Sequence, residues 1–213
     1  MLKLYIGNKN YSSWSMRPWV LMRQAGIAFD EVMVRFDSFD AGSDFKRALQ
    51  NVNPVGKVPV LVDGDLAVWD TLAIAEYLAE RFPAAQLWPA ARDARALARS
   101  ACAEMHSGFS ALRSHLPMDL ARDQALEEVP DAAQVDIDRV CAIWADCRAR
   151  FGEDGHYLFG HASIADAFYA PVAARLRSYR VALPPVAAAY VDSLYQWPAF
   201  QRWYRAALQE VQG

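Results

Sequence analysis

Short apolar runs and one amphipathic segment alternate over the first part of the chain. Residues 2–7 form a short apolar run and residues 29–36 a run rich in β-branched and aromatic side chains, and both predict strands. Between them, residues 14–24 have apolar positions at helical spacing, and Gly26 is a natural stop. Pro18 falls in the first turn of this predicted helix, where a missing N–H costs little. A strand–helix–strand unit of this length predicts parallel pairing of the two strands.

A complete β-hairpin is predicted further along the chain. Apolar runs at residues 58–62 and 66–69 flank the dipeptide Asp63-Gly64, which favours a tight turn because both central turn positions need positive φ. Pro59 stands at the start of the first of these strands, where a central ladder would miss its N–H. We therefore expect it at an edge, or in a cis bond that turns the preceding residue's backbone outward. An outward-facing backbone can pair with an extended peptide as another strand would.

Two helices flank the predicted hairpin. The polar segment before it is expected to hold a short helix over residues 44–49. After the hairpin, Asp70 and Thr71 open an amphipathic helix that runs to Arg81. This arrangement places a carboxylate, a hydroxyl and free helix N–H groups a few residues from the exposed backbone.

The element order predicts two domains. The order βαβ, helix, ββ, helix indicates an α/β thioredoxin-like N-terminal domain over residues 1–82, and the helical pattern beyond it indicates an all-α C-terminal domain over residues 90–213. Ser163 and Asp166 have capping-box spacing, which we interpret as a contribution to stability and not to chemistry. The other predicted C-terminal helices cover residues 92–116 (closed by Pro117), 131–151 (opened by Pro130), 186–194 and 198–208.

Composition narrows the class of protein. Hydrophobic residues make up 54% of the chain and charged residues 22%, a balance typical of a soluble globular protein. The net charge of −3 gives no general reason to expect a nucleic-acid partner, and no apolar run reaches the roughly 18 residues of a membrane helix. The N-terminal residues lack the pattern of a signal peptide, and the three cysteines have neither metal-binding spacing nor an even count. We therefore expect a cytoplasmic protein without a metal site.

The segment around the first hairpin strand resembles the glutathione site of the cytosolic glutathione transferase family. The resemblance implies a cis bond at Pro59, with the main chain of Val58 pairing with the cysteinyl part of glutathione. It implies that Asp70 and Thr71, where the family more often has Glu-Ser, hold the γ-glutamyl carboxylate, and it makes Lys57 a candidate for a glutathione carboxylate. It also implies the glutathione transferase fold and a homodimer. The matching run is Asn53-Pro54-Val55-Gly56-Lys57-Val58-Pro59-Val60-Leu61, followed by Asp70-Thr71.

The loop before the first predicted helix carries the candidate for thiol activation. A hydroxyl donor and a helix N-terminus together can supply the roughly 2–3 kcal/mol needed to lower a thiol pKa from about 8.5 to about 6.5–7. The loop resembles the Ser-Ser-Cys-Ser-Trp-Arg loop of zeta-class enzymes and, less closely, the Ser-Pro-Phe loop of tau-class enzymes. Both alignments place the thiolate-stabilising serine at Ser12, with Ser13 beside it in the glutathione site, and a neighbouring serine stays open as the donor. Trp14 stands where zeta enzymes have cysteine, which argues against the zeta isomerase reaction. The loop reads Ser12-Ser13-Trp14-Ser15-Met16-Arg17.

Each assignment has a structural alternative. Serines in a loop before a helix are usually caps, and Asp70 is equally a good helix cap. Tyr5 lies near the end of the first predicted strand, where alpha, mu and pi classes keep a catalytic tyrosine, although a packed core tyrosine is the simpler interpretation. The second substrate is expected between the domains, against the long helix that begins at residue 92. Its candidate residues, whose spacing also fits an ordinary core, are Trp14, Met105, His106, Phe109 and Tyr169.

The resemblance leads to a definite functional expectation. The protein is expected to bind glutathione, stabilise its thiolate with a serine and conjugate it to an apolar electrophile, a reaction of detoxification in the family. One alternative is a glutathione-dependent cis–trans isomerase of the maleylacetoacetate type, and another is a non-catalytic protein that binds glutathione or apolar ligands. Disulfide exchange is disfavoured because the loop has serines and no cysteine. The identity of the electrophile does not follow from an apolar pocket.

Overall fold

A four-stranded mixed sheet forms the centre of the N-terminal part. The computed structural model describes residues 1–212. The strand order is β2-β1-β3-β4, with β1 parallel to β2 and antiparallel to β3, and with β3 antiparallel to β4. The sheet and its helices confirm the predicted thioredoxin-like fold. The elements are β1 (Leu2–Ile6), α1 (Ser13–Gln24), β2 (Phe29–Met33), α2 (Asp44–Leu49), β3 (Val60–Asp63), β4 (Leu66–Trp69) and α3 (Thr71–Arg81).

The alternation of side chains along β1 divides the packing between two faces. Leu2, Leu4 and Ile6 join the large core that α1 and α3 also enter, because successive strand residues point to opposite faces. Tyr5 packs on the other face, against the small buried cluster of Val34, Phe45 and Leu49. The β1–α1 loop therefore leaves the sheet edge with a packed layer on each side.

Two strands begin or end at least two residues inside their predicted bounds. The second strand was expected over residues 29–36, but β2 ends at Met33 because the chain turns away from the sheet and the side chain of Asn8 accepts the N–H of Phe36 at 2.7 Å. The first hairpin strand was expected from Val58, but the ladder begins at Val60 because Pro59 has no N–H to donate. The Val58–Pro59 bond is cis, as expected.

The C-terminal part is helical and shares its core with the sheet. Helix α7 is buried along almost its whole length and packs against α1, so a single hydrophobic core crosses from one half to the other. Among residues 1–212, no helix is long and apolar enough to cross a bilayer. After a short 3-10 helix at Pro83–Ala85, the elements are α4 (Arg92–Ser107), α5 (Ser110–His115), α6 (Asp131–Phe151), α7 (Ile164–Ser178), α8 (Pro185–Gln196) and α9 (Pro198–Gln212).

The predicted long helix over residues 92–116 is wrong, because the chain breaks between α4 and α5. Gly108 is extended and Phe109 takes a left-handed φ of 60°. The side chain of Arg113 compensates for the break by donating from Nε to the carbonyl of Gly108 at 3.0 Å and from Nη2 to the carbonyl of Met105. The two short helices are thus stabilised by one guanidinium group that fills the place of lost helical hydrogen bonds.

The position predicted for Pro18 is also wrong. Helix α1 begins at Ser13, so Pro18 lies in its second turn and not in its first. There it removes one interior helical hydrogen bond. Burial of α1 on most of its faces keeps the helix continuous through the proline.

The predicted capping box at the start of α7 is present and fully buried. The carboxylate of Asp166 accepts from the main-chain N–H of Ser163 at 2.8 Å and from its hydroxyl at 2.9 Å. It also accepts from the N–H of Leu158 at 3.1 Å and from the hydroxyl of Tyr190 at 2.9 Å. Burial raises the pKa of Asp166, while these donors oppose that rise.

Replacement of Asp166 is expected to be far more damaging than replacement of its capping partner. Asp166→Ala leaves four buried donors without their acceptor and should lower the free energy of unfolding by about 4 kcal/mol. Ser163→Ala should lower the same free energy by about 1 kcal/mol. Asp166→Asn retains one acceptor oxygen and should fall between them. Urea unfolding followed by circular dichroism measures all three. Equal losses for Asp166→Ala and Ser163→Ala would contradict this account of the box.

Candidate functional site

Two cavities open side by side on the N-terminal half, and His106 of the C-terminal half lines the first of them. The first, the α3 cavity, has a volume of about 420 Å³ and reaches the start of α3. The second, the aromatic cavity, has a volume of about 630 Å³ and lies against the β1–α1 loop. Trp14, Lys57 and Val58 line both cavities, so a single extended ligand can pass from one to the other. The α3 cavity is also lined by Asn53, Val55, Pro59, Trp69, Asp70, Thr71 and His106, and the aromatic cavity by Tyr11, Ser12, Ser13, Phe36, Phe39, Phe45 and Lys46.

The backbone at the junction of the two cavities is free to pair with a ligand. The β3 ladder begins two residues after Val58. Within the described part of the chain, neither the N–H nor the C=O of Val58 has a hydrogen-bond partner. An unpaired donor and acceptor beside a cavity can bind an extended peptide as an added strand.

A buried asparagine that sequence reasoning missed shapes the turn before Val58. Asn53 is 2% exposed. Its side chain donates to the carbonyl of Lys57 at 2.8 Å and accepts the N–H of Val55 at 2.8 Å. Lys46 supports the same turn, because its ammonium donates to the carbonyl of Gly56 at 2.7 Å. The signal in the sequence was the Asn-Pro dipeptide, which favours a side-chain-stabilised turn.

Asp70 combines a strained backbone with two roles for its carboxylate. Its φ of 75° lies in the left-handed region, which costs energy for a residue with a side chain. The Oδ1 atom caps α3 by accepting the N–H groups of Leu72 at 2.8 Å and Ala73 at 3.3 Å. The Oδ2 atom lies 3.1 Å from Nε2 of His106, which comes from α4. Asp70 therefore does cap α3 through Oδ1, while Oδ2 faces His106 in the cavity wall.

His106 bridges the acid and the hydroxyl at the start of α3. Besides the Asp70 contact, its Nδ1 lies 3.5 Å from Oγ1 of Thr71. A proton on Nε2 suits the carboxylate and leaves Nδ1 to accept from the threonine. Burial lowers the pKa of His106, with Arg17 and Arg113 acting in the same direction and Asp70 opposing them. The ring is consequently neutral near pH 7.

A group of arginines lies behind this wall, and among residues 1–212 none of its members forms a salt bridge with a carboxylate. Arg17 is 1% exposed, and burial, with Arg113 and Arg175 nearby, lowers its pKa to about 9. Its Nη1 donates to Oγ1 of Thr71 at 3.3 Å, and its guanidinium lies 4.1 Å from the ring centre of Trp14. Arg113 also lies over that ring, at 4.9 Å. Uncompensated positive charge beside a cavity favours anionic ligand groups.

The serine loop faces the aromatic cavity. Ser12 and Ser13 are both buried, and both line the cavity. The hydroxyl of Ser12 makes no capping bond to α1 and donates instead to Oγ of Ser15 at 2.7 Å. Ser15 in turn accepts the N–H of Gly7 at 3.1 Å, while Oγ of Ser13 accepts from Arg175 at 3.1 Å. Two serines next to a helix N-terminus therefore line the cavity, and each hydroxyl is hydrogen-bonded to a buried partner.

The predicted second-substrate residues separate into two groups. Trp14 and His106 do line the α3 cavity, with their rings edge to face and 5.3 Å between centroids. Met105, Phe109 and Tyr169 line neither cavity, because all three are buried in the hydrophobic core. The hydroxyl of Tyr169 donates to the carbonyl of Ala101 at 3.0 Å, deep between α4 and α7. Their helical spacing reflected packing and not a pocket.

The aromatic wall was not anticipated from the sequence. Phe36 and Phe39 come from the segment between β2 and α2, and Phe45 from the first turn of α2, with ring centroids 5.2 to 5.7 Å apart. Tyr11 completes the wall from the β1–α1 loop. Two phenylalanines, Phe39 and Phe45, within a polar segment that follows Phe36 were the available signal. Tyr5, the alternative catalytic tyrosine, lines neither cavity and packs on the sheet.

The described residues contain no grouping suited to a metal. Among residues 1–212, no three or more histidine, cysteine, aspartate or glutamate side chains come together as metal ligands. The three cysteines are free and buried. Burial raises the pKa of Cys102, Cys141 and Cys147, which keeps these thiols protonated.

Sequence profiles of one known family cover most of the chain. Residues 11–81 match the profile described as "Glutathione S-transferase, N-terminal domain". Residues 89–206 match "Glutathione S-transferase, C-terminal domain". The two matches lie on the two structural halves described above.

Individual relatives agree with the profiles. Glutathione S-transferase Z2 of Arabidopsis thaliana is 27% identical over 207 residues, covering 91% of this chain and 88% of the relative. Maleylacetoacetate isomerase of Rattus norvegicus is 27% identical over 184 residues, covering 85% and 81%. Among solved structures, a glutathione transferase homolog from Burkholderia GL BGR1 with bound glutathione superposes with a TM-score of 0.71 at 25% identity, covering 98% of each chain.

The contact between His106 and Asp70 predicts how the histidine titrates. Its midpoint should lie below the ordinary value of 6.5, and Asp70→Asn should lower it further, because the carboxylate stabilises the imidazolium. Native stability should accordingly decline as the pH falls through the ordinary histidine pKa, since the unfolded chain takes the proton first. Nuclear magnetic resonance of the ring protons measures both midpoints, with His106→Gln to assign the signal. A higher midpoint in Asp70→Asn would contradict the geometry.

Proposed function

The chain belongs to the glutathione S-transferase family, and on that premise we propose that it binds glutathione extended across both cavities and stabilises the thiolate with the hydroxyl of Ser12. The observation that carries this proposal is the junction of the two cavities at Val58. Its unpaired backbone lies between an acid–hydroxyl pair on one side and a serine loop on the other. A tripeptide with a thiol in its middle residue matches that order.

The γ-glutamyl end of glutathione fits the α3 cavity. Its carboxylate is held by the N–H of Thr71 at the start of α3 and by the Thr71 hydroxyl, whose proton turns from His106 to the ligand, where helix N–H groups and the charge of Arg17 favour an anion. Its ammonium group pairs with the carboxylate of Asp70, which is an acceptor only. His106 keeps both side chains in place from the C-terminal half.

The remaining two residues of glutathione extend toward the aromatic cavity. The cysteinyl N–H and C=O pair with the main chain of Val58 next to Pro59, which turns that backbone toward the ligand. The glycine carboxylate then lies near Lys46 and Lys57, the two lysines that line the aromatic cavity. The carboxylate of Asp70 at one end of the two cavities and the lysines at the other carry opposite charges, which fixes the direction in which the tripeptide binds.

The thiol activation assigned to Ser12 rests on a chain of hydroxyl groups. Ser12 bonds to Ser15, and Ser15 accepts the N–H of Gly7. When a thiolate binds, Ser15 donates its own proton to Ser12, so the Ser12 proton is free to point at sulfur. Together with the N-terminus of α1, this donor supplies the roughly 2–3 kcal/mol preference for the anion that lowers the thiol pKa from about 8.5 to about 6.5–7.

The second substrate is an apolar electrophile bound against the aromatic wall. Tyr11, Phe36 and Phe39 provide flat apolar surfaces beside the serine loop. The thiolate attacks an electrophilic carbon of this substrate, a carbon–sulfur bond forms, and the displaced electron pair leaves with the departing group or is protonated after an addition. This placement replaces the pocket against α4 that the sequence suggested. In keeping with the family, the proposal includes a cytoplasmic homodimer.

A second candidate is a glutathione-dependent cis–trans isomerase. The similarity to rat maleylacetoacetate isomerase over 85% of this chain favours it. Trp14, in place of the cysteine of the zeta motif, argues against it, because the ring fills the wall shared by both cavities. A protein that only binds glutathione or apolar ligands would keep the cavities but would not ionise the thiol.

Ser12→Ala tests the central step. The ultraviolet thiolate band of bound glutathione should disappear at neutral pH, because the pKa of the bound thiol rises toward that of free glutathione. The value of kcat/KM with a model aryl halide should fall by about 10²-fold, as for loss of one aimed donor. Ser13→Ala is the matched control and should change both quantities much less. If Ser13→Ala abolishes the band and Ser12→Ala does not, the roles of the two serines are reversed.

The fate of glutathione separates transfer from isomerisation. In the proposed reaction, one glutathione thiol is lost for each electrophile converted, which a thiol titration of the reaction mixture counts. An isomerase returns glutathione unchanged after each turnover. Conversion of a cis-enone dicarboxylate without thiol loss would place the isomerase ahead, and tight glutathione binding without conversion of any electrophile would favour the binding protein.

A further inference from the structure

We propose that Glu210, on the last helix, is a positioning residue for the serine that stabilises the thiolate. This inference rests on the function proposed above and adds a residue almost two hundred positions away in the chain. Glu210 does not line either cavity. It acts through the β1–α1 loop, whose main chain fixes where the Ser12 hydroxyl lies.

The carboxylate of Glu210 accepts hydrogen bonds from the start of that loop through both of its oxygens. Oε1 accepts from the side-chain amide of Asn8, and Oε2 accepts the main-chain N–H of Lys9 at 2.7 Å. Hydrogen bonds to an ionised acceptor are stronger than those between neutral groups. Two such bonds to adjacent residues fix both the position and the orientation of this part of the loop.

Asn8 transmits this restraint to the serine and to the aromatic wall. Its carbonyl accepts the N–H of Ser12 at 2.8 Å and that of Tyr11 at 3.2 Å. Its side-chain oxygen accepts the N–H of Phe36 at 2.7 Å. One asparagine, held by Glu210, therefore sets the register of the thiolate donor and of two residues that line the aromatic cavity.

The rest of α9 supports the same loop from one face of the helix. Trp203, Ala207 and Glu210 follow one another at helical spacing on the buried side. The indole N–H of Trp203 donates to the carbonyl of Lys9 at 3.0 Å. The ammonium of Lys9 pairs with Glu31 on β2, which also accepts the indole N–H of Trp19 at 2.6 Å. Lys9 is 8% exposed, so loss of Glu210 removes a protein acceptor from a largely buried main-chain N–H.

The test measures the pKa of the bound glutathione thiol in Glu210→Ala. That pKa should rise and kcat should fall by about tenfold, because the hydroxyl is displaced but still present. The KM for glutathione should change little, since Val58, Asp70 and Thr71 are untouched. Glu210→Gln keeps one neutral acceptor and should recover part of the effect, and Gln209→Ala, an exposed neighbour on the same helix, should resemble the wild type.

A double variant distinguishes positioning from a general loss of structure. In the Ser12→Ala background, Glu210→Ala should cause no further rise in the thiol pKa, because the group that it positions is gone. Thermal unfolding of each variant confirms that the fold is intact. An unchanged thiol pKa in Glu210→Ala, while Ser12→Ala raises it, would overturn the inference alone, as would effects that simply add. No effect of Ser12→Ala would overturn the proposed function and this inference together.

Discussion

Burial of α1 between the sheet and the C-terminal helices is the constraint on which the rest of the structure depends. Nine of its twelve residues are buried, including two serines, an arginine and a proline. Such a helix brings its own polar groups into the interior, and each of them needs a partner from another element. Ser13 finds Arg175 on α7 and Arg17 finds Thr71 on α3. The candidate site lies next to these buried polar groups and their partners.

The elements with strong local signals were predictable from the sequence, and the contacts between distant segments were not. Helices α2 and α6 and strand β4 have the predicted bounds, because caps, prolines and the Asp-Gly turn act locally. The break at Gly108 escaped prediction because it depends on the conformation of one side chain, the guanidinium of Arg113, which helical spacing does not report. Tyr169 was misplaced for a related reason, since helical spacing cannot distinguish a core from a pocket.

Within the candidate site, too, the residues of a local motif were predictable from the sequence and the contacts between distant segments were not. Val58, Pro59, Asp70 and Thr71 were found from one continuous motif, and the structure brings all four to a single cavity. The aromatic wall and the bridging histidine depend on which loop folds against which helix. His106 in particular was expected beside a second substrate, but its closest polar contacts are the acid and the hydroxyl of the motif itself. No pattern within α4 encodes that partnership.

The two cavities are built from parts of the chain with different freedom to change. The α3 cavity draws on the hairpin and on a helix start, where a substitution disturbs the sheet ladder or a cap. Phe36 and Phe39 of the aromatic cavity belong to a connection outside the ladder, and Phe39 is 68% exposed. Substitutions in the aromatic cavity can therefore change the shape of the surface that binds one ligand, while the α3 cavity keeps its contacts with the other ligand. A lineage with this architecture can acquire new chemical targets by drift in a single surface segment.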